Sequence, residues 1–348
     1  MGHTTSPHVT RLAEALAERD VRVALAGFDE PASHFQFYRL GRPGVRGDWR
    51  YALAVPPLVR AIRRFRPDVV HAHYITSYGV ASALATILAG LAGRRPALVQ
   101  TCWGTDILVT PAKSSIARIL SRFALRTANL ITADSHDVLE QAEAMSAHRI
   151  PSCRFVFGPP ARLFEYRRSE EGIVFVSARN LTHTMRIGRI IGAFITARAS
   201  RAPLEWAELV VAGAGAAEAE LRDKYEGSVG VRFVGHLEPG ELHRLLAGAT
   251  AYISIPETDG TSATLLEAMA IGTAPIVNDL PANREWVRGE IGIIVSADPA
   301  PLELIDAFAA AAERRSAQSE VRLAARPAAW EGEVDRLVER YVAQIPTR

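Results

Sequence analysis

Residues 251–277 have the sequence AYISIPETDGTSATLLEAMAIGTAPIV, in which two short apolar runs flank a turn and a helix. The run AYISI, rich in β-branched and aromatic residues, predicts a strand. Gly260 permits a tight turn, and Thr261 or Ser262 can cap the helix that follows to about Ala270. The run APIVN predicts a second strand. A strand–helix–strand unit of this kind is typical of α/β proteins with parallel sheets.

The same alternation continues along most of the chain. The predicted strands are Val21–Gly27, Asp68–His73, Ala97–Thr101, Asn129–Asp134 and Arg154–Gly158 in the first half, then Ile173–Ala178, Glu208–Gly213, Val231–Gly235, Ala251–Ile255, Ala274–Asn278 and Gly292–Ser296. Helical patterns separate them, at Val9–Arg19, Pro56–Phe65, Gly79–Ala92, Ser115–Thr127 and His136–Met145 in the first half. This order predicts two Rossmann-like, doubly wound α/β domains, whose strand ends would face a central cleft.

The domain boundaries follow from one segment in which the hydrophobic residues show no clear helical or strand periodicity. Residues 158–172, GPPARLFEYRRSEEG, are rich in proline and charge and predict a linker. We therefore expect an N-terminal domain at 1–158, a linker at 159–172 and a C-terminal domain at 173–329. A last helix at 330–348 is expected to cross back to the N-terminal domain.

The N-terminus lacks a feature of doubly wound domains. The chain begins MGHTTSPHVTRLAEALAERD, and its first helical pattern starts at about Val9 with no apolar strand before it. Such a domain normally opens with its central strand. We therefore hypothesise that the first strand is missing because the true start of the protein lies upstream.

Composition limits the classes of protein. The 348 residues are 48% hydrophobic and 22% charged, with a net charge of +2, so neither nucleic acid nor an anionic membrane is demanded by overall charge. Cys102 and Cys153 form no disulfide framework or zinc motif, and no signal or spanning segment is visible, so we expect a cytoplasmic protein. Four neighbouring arginines predict the exposed face of one helix: Arg60, Arg63, Arg64 and Arg66. The alternative is that these side chains contact the inner face of a membrane peripherally.

Chemistry-bearing residues follow the strands of the second half. Arg179 comes directly after a predicted strand, where a guanidinium can grip phosphate. The turn at Gly260 leads into a helix whose N-terminal N–H groups suit a diphosphate. Asp259 precedes that turn, and Glu267 lies about two turns into the helix, where it can accept from a ribose diol. This arrangement predicts a nucleotide-sugar site.

Several segments resemble the retaining glycosyltransferases of family 4, which have the two-domain GT-B fold. DGTSATLLEAMAIGTAPIV followed by NDLPANREWV is similar to the family's acidic-x7-Glu motif. FRPDVVHAHYITSYG, LVQTCWGTDIL, LRTANLITADSHDV, LVVAGAGAAEAELR and VRFVGHLEPGELHRLLAGATAYIS resemble further family segments in the family order. The resemblance covers nearly the whole chain. It implies transfer of a sugar from a UDP- or GDP-linked donor to a glycan, lipid or small-molecule acceptor, with no metal or other cofactor.

The resemblance also implies roles for individual residues. Arg179 matches the arginine that binds the donor diphosphate, and Asp259 stands where the family usually has a glutamate near the donor sugar. Gly260, Thr261 and Ser262 match the loop that receives the phosphate, and Glu267 matches the glutamate that binds the ribose. Val234, Gly235 and His236 match the wall beside the base.

Other positions depart from the family pattern. Many relatives have a lysine shortly after the arginine; here Arg186 is the candidate substitute, and an exposed helix-start arginine is the alternative. Trp103, in TCWGTD, replaces a histidine of the acceptor side and can stack on a sugar ring but cannot take a proton. The other acceptor-side candidates are His8, Gly104 and Asp106, the last of which caps a helix in the alternative interpretation. His73 is the candidate catalytic histidine at a strand end.

Two further functions fit the same features. A nucleotide-sugar epimerase would need acid and base groups poised at the sugar, and a non-catalytic nucleotide-sugar-binding protein would bind donor without turnover. A dinucleotide oxidoreductase fits poorly because no Gly-x-Gly-x-x-Gly follows an early strand. Nothing in the sequence indicates the oligomeric state, the acceptor, or the choice between uridine and guanosine.

Overall fold

The structure is a computed structural model that describes residues 1–42, 47, 49–167, 169, 172–313 and 318–345, without the side chains of 112 and 113. The chain forms two compact units. Unit 1 contains Met1–Phe157 together with Glu331–Arg348, and unit 2 contains Gly158–Trp330. The C-terminal helix therefore belongs to the N-terminal unit.

Unit 1 is built on parallel strands that form two sheets. Its strands are β1 (Ala24–Gly27), β2 (Gln36–Arg39), β3 (Val69–His73), β4 (Ala97–Cys102), β5 (Leu130–Ala133) and β6 (Ser152–Arg154). β1 pairs with β2, and a separate sheet has the order β3-β4-β5-β6. Every residue of β4 and β5 is buried, because helices cover both faces of this sheet.

The helices of unit 1 alternate with these strands and end in the C-terminal helix. They are α1 (Pro7–Ala17), α2 (Trp49–Leu53), α3 (Val55–Phe65), α4 (Val80–Gly90), α5 (Thr110–Lys113), α6 (Ser115–Thr127) and α7 (His136–Ser146), then α15 (Trp330–Gln344). Ser114 and Ser135 cap α6 and α7 by accepting from the backbone N–H of Ala117 and Val138. Short π-helical turns at Ile75–Gly79 and Thr105–Val109 follow β3 and β4.

Unit 2 is a single doubly wound domain. Its strands are β7 (Val174–Ala178), β8 (Glu208–Ala212), β9 (Val231–Gly235), β10 (Ala251–Ser254), β11 (Ala274–Asn278) and β12 (Ile293–Val295). They form one parallel sheet in the order β12-β11-β10-β7-β8-β9. Its helices are α8 (Ile187–Ser200), α9 (Glu218–Tyr225), α10 (Pro239–Gly248), α11 (Ala263–Ile271), α12 (Pro281–Arg284), α13 (Pro301–Glu313) and α14 (Gln318–Ala325).

Each unit has its own hydrophobic core. In unit 1, Leu58 and Ile62 of α3 and the alanines of α4 belong to the same core as Leu98 of β4 and Ile131 of β5. In unit 2, Phe175, Phe194 and Phe308 meet edge to face, with ring centroids 4.8–6.1 Å apart. These rings join β7, α8 and α13. Two separate cores explain why the chain divides into two units.

The structure corrects two expectations and adds one strand. The run Arg154–Gly158 is not a strand; β6 ends at Arg154, and Phe155 and Phe157 are buried beyond it. The strand β2 was missed because its four residues alternate weakly and only partly bury. Of the predicted linker, residues 168, 170 and 171 lie outside the described part. Its beginning is part of unit 2, since Leu163 and Phe164 are buried in a turn of 3₁₀-helix.

Candidate donor and acceptor sites

The order of strands in unit 2 creates a switch point. β7 and β10 are neighbours at the centre of the sheet, and the chain proceeds outward from β7 through β8 and β9, and from β10 through β11 and β12. Ligands of doubly wound sheets bind beyond the carboxyl ends of the strands at such a point. Arg179 directly follows β7, and Asp259 and Ser262 lie in the turn after β10. The predicted donor residues therefore come from the two strands that flank the switch point.

Arg179 is held by two of the predicted site residues. Its Nη2 donates to Oδ2 of Asp259 at 2.5 Å, and its Nη1 donates to Oγ of Ser262 at 2.5 Å. Nη2 also lies 3.4 Å from Sδ of Met185. The side chains of Arg179 and Asp259 are 13% and 25% exposed, so the pair is accessible from one side only. The guanidinium is fixed in one orientation before any donor binds.

Burial and ion pairing shift the pKa values of Arg179 and Asp259 in opposite directions. Burial raises the pKa of Asp259 above its usual range, and the Arg179 guanidinium partly offsets that rise. For Arg179, burial alone would lower the pKa, but the Asp259 carboxylate and the Tyr252 hydroxyl together more than compensate, and the pKa is raised. Arg179 therefore keeps its positive charge in the site.

The turn after β10 ends at the N-terminus of α11. Ser262 is the N-cap, and its Oγ accepts from the backbone N–H of Leu265 at 3.4 Å. Oγ of Thr261 accepts from the indole Nε1 of Trp286 at 3.2 Å. The helix has nine residues and no acidic residue in its first turn, so its dipole end is not neutralised there. With the adjacent Arg179, this end of α11 is suited to a diphosphate.

Two glycines position the backbone of Arg179. Gly213 has φ +130°, and a Cβ there would lie 2.1 Å from the carbonyl oxygen of Arg179. At Gly215 a Cβ would lie 2.4 Å from the carbonyl oxygen of Leu181. A tight strand-to-helix turn forms at these glycines, and it packs directly against the segment that carries Arg179.

Glu267 lies inside α11 and faces a histidine. Its Oε2 is 3.7 Å from Nε2 of His243 on α10, and the Glu267 side chain is 19% exposed. The distance is too long for a hydrogen bond, so carboxylate oxygens stay available to accept from a ligand. The ribose role of Glu267 stays a prediction.

Arg186 is already engaged within unit 2. Its Nη1 donates to the carbonyl oxygen of Ala297 at 3.0 Å and lies 3.4 Å from Oδ1 of Asp298. Its Nε lies 4.0 Å from Oε1 of Glu257. These contacts hold Arg186 in place at the start of α8, as expected of an arginine with a structural role. The other interpretation, that Arg186 is a second phosphate-binding cation, stays a prediction.

The predicted wall beside the base lies at the end of β9. The pairing of β8 with β9 shifts there, so that Ala212 pairs with Gly235 and Val234 is the extra residue of a bulge. Gly235 has φ +70°, and its carbonyl oxygen accepts from the N–H of Gly213 at 2.7 Å. His236 follows as an exposed residue. The bulge thus brings this segment next to the turn that supports Arg179.

Aromatic rings gather around Trp103 in unit 1. Trp103 stacks on Phe157 and on Tyr74, with centroids 5.2 and 5.7 Å apart. The His8 ring lies 5.6 Å from Trp103 and 4.9 Å from Phe157. Nε1 of Trp103 is buried and makes no hydrogen bond within the described residues. The two acceptor-side candidates His8 and Trp103 therefore lie together.

The two histidines of β3 differ in their partners. Nε2 of His71 lies 2.5 Å from Oγ1 of Thr101, and its Nδ1 lies 2.5 Å from the hydroxyl of Tyr341, so both ring nitrogens are used. His73 stacks on His71 at 4.5 Å and is 3% exposed. Its Nδ1 makes no hydrogen bond within the described residues. Burial lowers the pKa of His73 well below its usual range, so the ring is neutral.

Asp106 has a structural position. Its Oδ1 accepts from the N–H of Trp103 at 2.8 Å and its Oδ2 from the N–H of Ile75 at 2.7 Å. The side chain is buried, and burial raises its pKa to about 8. Of the two expected roles, the structure supports capping: Asp106 ties the turn that begins after Gly104 to the turn after β3. An acceptor hydroxyl would have to displace a backbone amide.

Three contacts of these sites have no counterpart among the residues predicted from the sequence. Trp286 fixes Thr261, His243 faces Glu267, and the Arg179–Asp259 pair joins two segments 80 residues apart. Trp286 belongs to the quoted segment NDLPANREWV, which was a usable signal. Among the described residues no three His, Cys, Asp or Glu side chains are placed to hold a metal ion. No helix in the described ranges is long and apolar enough to cross a membrane.

Family profiles match both units. A profile described as "Glycosyl transferase 4-like" matches residues 1–135, and one described as "Glycosyl transferases group 1" matches residues 171–314. The phosphatidyl-myo-inositol mannosyltransferases of Mycobacterium tuberculosis and Mycobacterium bovis are 35% identical over 104 residues, or 28% of this chain. The match spans about a quarter, 26%, of those relatives.

Solved structures share the fold over the whole chain. HepE of Anabaena with bound UDP has a TM-score of 0.76 at 15% identity, covering 98% of each chain. Sucrose-phosphate synthase of Thermosynechococcus elongatus has a TM-score of 0.75 at 16% identity, covering 97% of this chain and 92% of that one. The two family profiles, which together match 279 of the 348 residues, show that the chain belongs to the glycosyltransferases of family 4, group 1, and the likeness to solved structures shows the GT-B fold.

Proposed function

We propose that this chain transfers a sugar, with retention of anomeric configuration, from a UDP- or GDP-linked donor to a hydroxyl acceptor. The observation that carries the proposal is the position of Arg179 beside the N-terminus of α11, at the switch point of unit 2. A guanidinium and a helix N-terminus together suit a diphosphate. Glycosyl transfer leaves that diphosphate with an additional negative charge, which the same groups stabilise.

The proposed mechanism needs no nucleophile or metal from the protein. An oxygen of the donor phosphate would help to deprotonate the acceptor on the face from which the leaving group departs. Arg179 and the start of α11 would stabilise the leaving diphosphate, and Asp259 and Glu267 would orient sugar and ribose. His73 stays a candidate catalytic residue. Its neutral ring suits hydrogen bonding to a hydroxyl rather than charge stabilisation.

The acceptor would bind through unit 1. His8 and Trp103 provide the kind of aromatic surface on which sugar rings stack. The mannosyltransferase relatives act on a phosphatidylinositol, which supports a lipid-linked acceptor; HepE with UDP-glucose supports a uridine donor. The activity screen described below distinguishes a lipid-linked acceptor from glycan and small-molecule acceptors, and a uridine donor from a guanosine donor.

We further propose that the protein is cytoplasmic and contacts the membrane surface peripherally. Residues 49–127 contain eleven lysines and arginines but only two acids, against a net charge of +2 for the whole chain. In the same region α6 exposes Ile116, Ile119 and Leu120, which are 72%, 68% and 40% exposed. Apolar side chains among basic ones are typical of helices that lie on anionic lipid.

The deciding experiment is an activity screen with a substitution at Arg179. The protein is incubated with UDP- and GDP-sugars and a panel of lipid, glycan and small-molecule acceptors, and the product anomer is assigned by NMR. We expect Arg179→Ala to reduce kcat/KM about a hundredfold or more. Arg201→Ala, which removes an exposed guanidinium paired with Asp306, is the matched control and should keep full activity.

The same assay tests the alternatives. Epimerised nucleotide sugar formed without acceptor would identify an epimerase. Donor binding by calorimetry without turnover on any acceptor would identify a non-catalytic binding protein. Wild-type activity in Arg179→Ala would refute the proposed diphosphate site, and an inverted product would refute retention.

A further inference from the structure

Glu267, the predicted ribose-binding residue, lies against a basic side chain of the neighbouring helix. Its Oε2 is 3.7 Å from Nε2 of His243, and within the described part of the chain no lysine or arginine lies at ion-pair distance from the carboxylate. The Glu267 side chain is 19% exposed. A carboxylate that is largely withdrawn from water needs hydrogen-bond donors from the protein or from a ligand.

His243 is more deeply buried than Glu267. It is 5% exposed, and its Nε2 is buried and makes no hydrogen bond among the described residues. It lies on the face of α10 that also buries Leu246 and Ala247, three and four residues further along the helix. Buried ring nitrogens normally have a partner, because an unpaired one loses its hydrogen bond to water without replacing it. The unpaired Nε2 therefore indicates a partner that this conformation holds just out of reach.

The helices that carry the two side chains are fixed to each other. Ser262 caps the start of α11, and a capping box fixes the start of α10. The hydroxyl of Thr273, just after α11, donates to the carbonyl oxygen of Leu246 on α10 at 2.7 Å. Because the backbones are held, a rotation within the Glu267 side chain is what can shorten the distance from 3.7 Å to the roughly 3 Å of a hydrogen bond.

The charge of Glu267 favours one arrangement of the proton on His243. A neutral imidazole has one N–H donor and one bare nitrogen with a lone pair. A bare Nε2 would place its lone pair 3.7 Å from a carboxylate oxygen, and the two would repel each other, whereas an Nε2–H would be attracted. The tautomer with the proton on Nε2 is therefore favoured, and His243 offers Glu267 a donor.

A ribose diol makes a different demand on the same carboxylate. Its two hydroxyls donate side by side, so both carboxylate oxygens accept at once only when the carboxylate plane is turned toward the ribose. Each carboxylate oxygen has two lone pairs, so Oε2 can accept from the diol and from His243 together. A second donor on Oε2 would hold the plane in place without competing with the ribose.

We propose that His243 is a positioning residue for Glu267: its Nε2–H donates to Oε2 when a nucleotide binds, and holds the carboxylate toward the ribose hydroxyls. The proposal deepens the proposed function, because it rests on the role of Glu267 as the ribose acceptor. His243 acts through Glu267 rather than on the nucleotide itself. Recognition of the ribose thereby extends to α10, a helix with no predicted site residue.

Deoxynucleotides test the proposal, because they report on the ribose contact alone. Titration calorimetry with the full chain compares UDP with 2′-deoxy-UDP, or GDP with 2′-deoxy-GDP if the protein binds GDP. The wild type should bind the ribonucleotide at least about tenfold more tightly. His243→Asn should bind it about three- to tenfold less tightly than the wild type, with deoxynucleotide binding unchanged. The donor KM should rise by the same factor while kcat stays constant.

His243→Gln is the matched variant. A glutamine amide reaches the position of Nε2, whereas an asparagine amide reaches only that of Nδ1, so His243→Gln should keep most of the preference for the ribonucleotide. Both variants place an amide in the same packed site, so a loss of stability does not separate them. Equal ribose preference in the two variants would overturn the proposal.

Glu267→Ala separates this proposal from the proposed function. If Glu267→Ala loses the ribose preference and His243→Asn keeps all of it, only the role of His243 is refuted. If Glu267→Ala keeps the preference, the ribose role of Glu267 is refuted, and the positioning role with it.

The tautomer of His243 can be measured on the unaltered protein. Long-range ¹H–¹⁵N correlation spectra in mildly alkaline buffer show which ring nitrogen carries the proton, and the signals missing from His243→Gln identify this ring. We expect the proton on Nε2, with a resonance that moves downfield on binding of the ribonucleotide and less on binding of the deoxynucleotide. A bare Nε2 in the nucleotide complex would overturn the proposal.

Discussion

The guanidinium of Arg179 contacts two residues that the donor would also use. Asp259 and Ser262 hold it through one hydrogen bond each, at 2.5 Å. A diphosphate that binds Arg179 must share it with the Asp259 carboxylate, which repels the phosphate charge. Asp259 therefore orients the guanidinium at some cost in affinity for the nucleotide.

Replacing Asp259 tests this competition. Asp259→Asn keeps the size of the side chain and removes its charge, so UDP or GDP should bind about three- to tenfold more tightly, as measured by titration calorimetry. Turnover should fall at the same time, because the donor-sugar contact is weakened. Asp306→Asn, which removes a 58% exposed carboxylate paired with Arg201, is the control. Weaker nucleotide binding by Asp259→Asn would contradict the proposed competition.

At the scale of elements, the donor site depends on how closely the turns after β7 and β8 approach. The N–H of Arg179 donates to the carbonyl oxygen of Ala212 at 3.2 Å, and the N–H of Leu181 donates to that of Ala214 at 3.0 Å. Only a residue without Cβ fits at Gly213, because both the positive φ and the Arg179 carbonyl exclude a side chain. The strand–turn junctions thus set the position of the Arg179 backbone, and with it that of the guanidinium proposed to bind the diphosphate.

Gly213→Ala should therefore weaken donor binding, although Gly213 itself is not expected to contact the donor. The new Cβ must move the Arg179 backbone, so we expect KM for the donor to rise about tenfold and the free energy of unfolding to fall by about 2–4 kcal/mol. Kinetics with a saturating acceptor and urea unfolding measure the two effects. Gly240→Ala is the control, because a Cβ there meets nothing within 4 Å. An unchanged donor KM in Gly213→Ala would show that the turn does not position Arg179.

At the scale of the whole molecule, the chain's last helix stabilises its first unit. Oε2 of Glu333 on α15 accepts from the N–H of Val156 at 2.9 Å, and Asp335 pairs with Arg19 at 2.6 Å. Tyr341 reaches His71, whose other nitrogen contacts Thr101. Burial, with the nearby Met1 ammonium, lowers the pKa of His71 to about 3.

This histidine predicts a loss of stability in acid. Between the ordinary value of about 6.5 and about pH 3, the unfolded chain binds a proton that folded His71 does not. The contribution is therefore present above pH 6.5 and is lost as the pH falls, at about 1.4 kcal/mol per pH unit. Urea unfolding between pH 4.5 and 7 should show a smaller slope in His71→Asn than in the wild type. The exposed His136→Asn is the control, and an unchanged slope in His71→Asn would contradict the prediction.

The uneven distribution of charge is a second property of the whole molecule. Arg118 and Arg122 on α6 donate to the backbone carbonyls of Pro111 and Met145, which leaves their charge for an anionic surface. We expect binding to phosphatidylglycerol vesicles but not to phosphatidylcholine vesicles, measured by co-sedimentation and weakened by salt.

Substitutions localise this contact to α6. The double variant Ile116→Ser/Ile119→Ser should bind phosphatidylglycerol vesicles at least tenfold less well. Leu302→Ser/Leu323→Ser, which removes exposed leucines of unit 2, is the matched control. Equal vesicle binding by both double variants would refute the assignment to α6.

Much of this architecture was predictable because local patterns match the fold. The runs Ala97–Thr101 and Val231–Gly235 are mostly apolar and form strands, and Ser115–Thr127 is helical between the predicted residues. Thr261 or Ser262 was predicted as the cap because each follows the turn glycine and precedes an apolar helix, and Ser262 is the N-cap. β2 was not predicted, and the run Arg154–Gly158 was wrongly predicted as a strand, because short or partly buried strands depend on neighbours distant in the chain.

The local order of residues already specifies two doubly wound units, a strand end followed by Arg179, and a capped turn before Glu267. These features arise from hydrophobic period and turn chemistry, which act over a few residues. The pairing of Arg179 with Asp259 and the hydrogen bond from the Ile75 amide to Asp106 join segments tens of residues apart. Burial and charge compensation, which decide what such residues do, exist only once those segments are packed together.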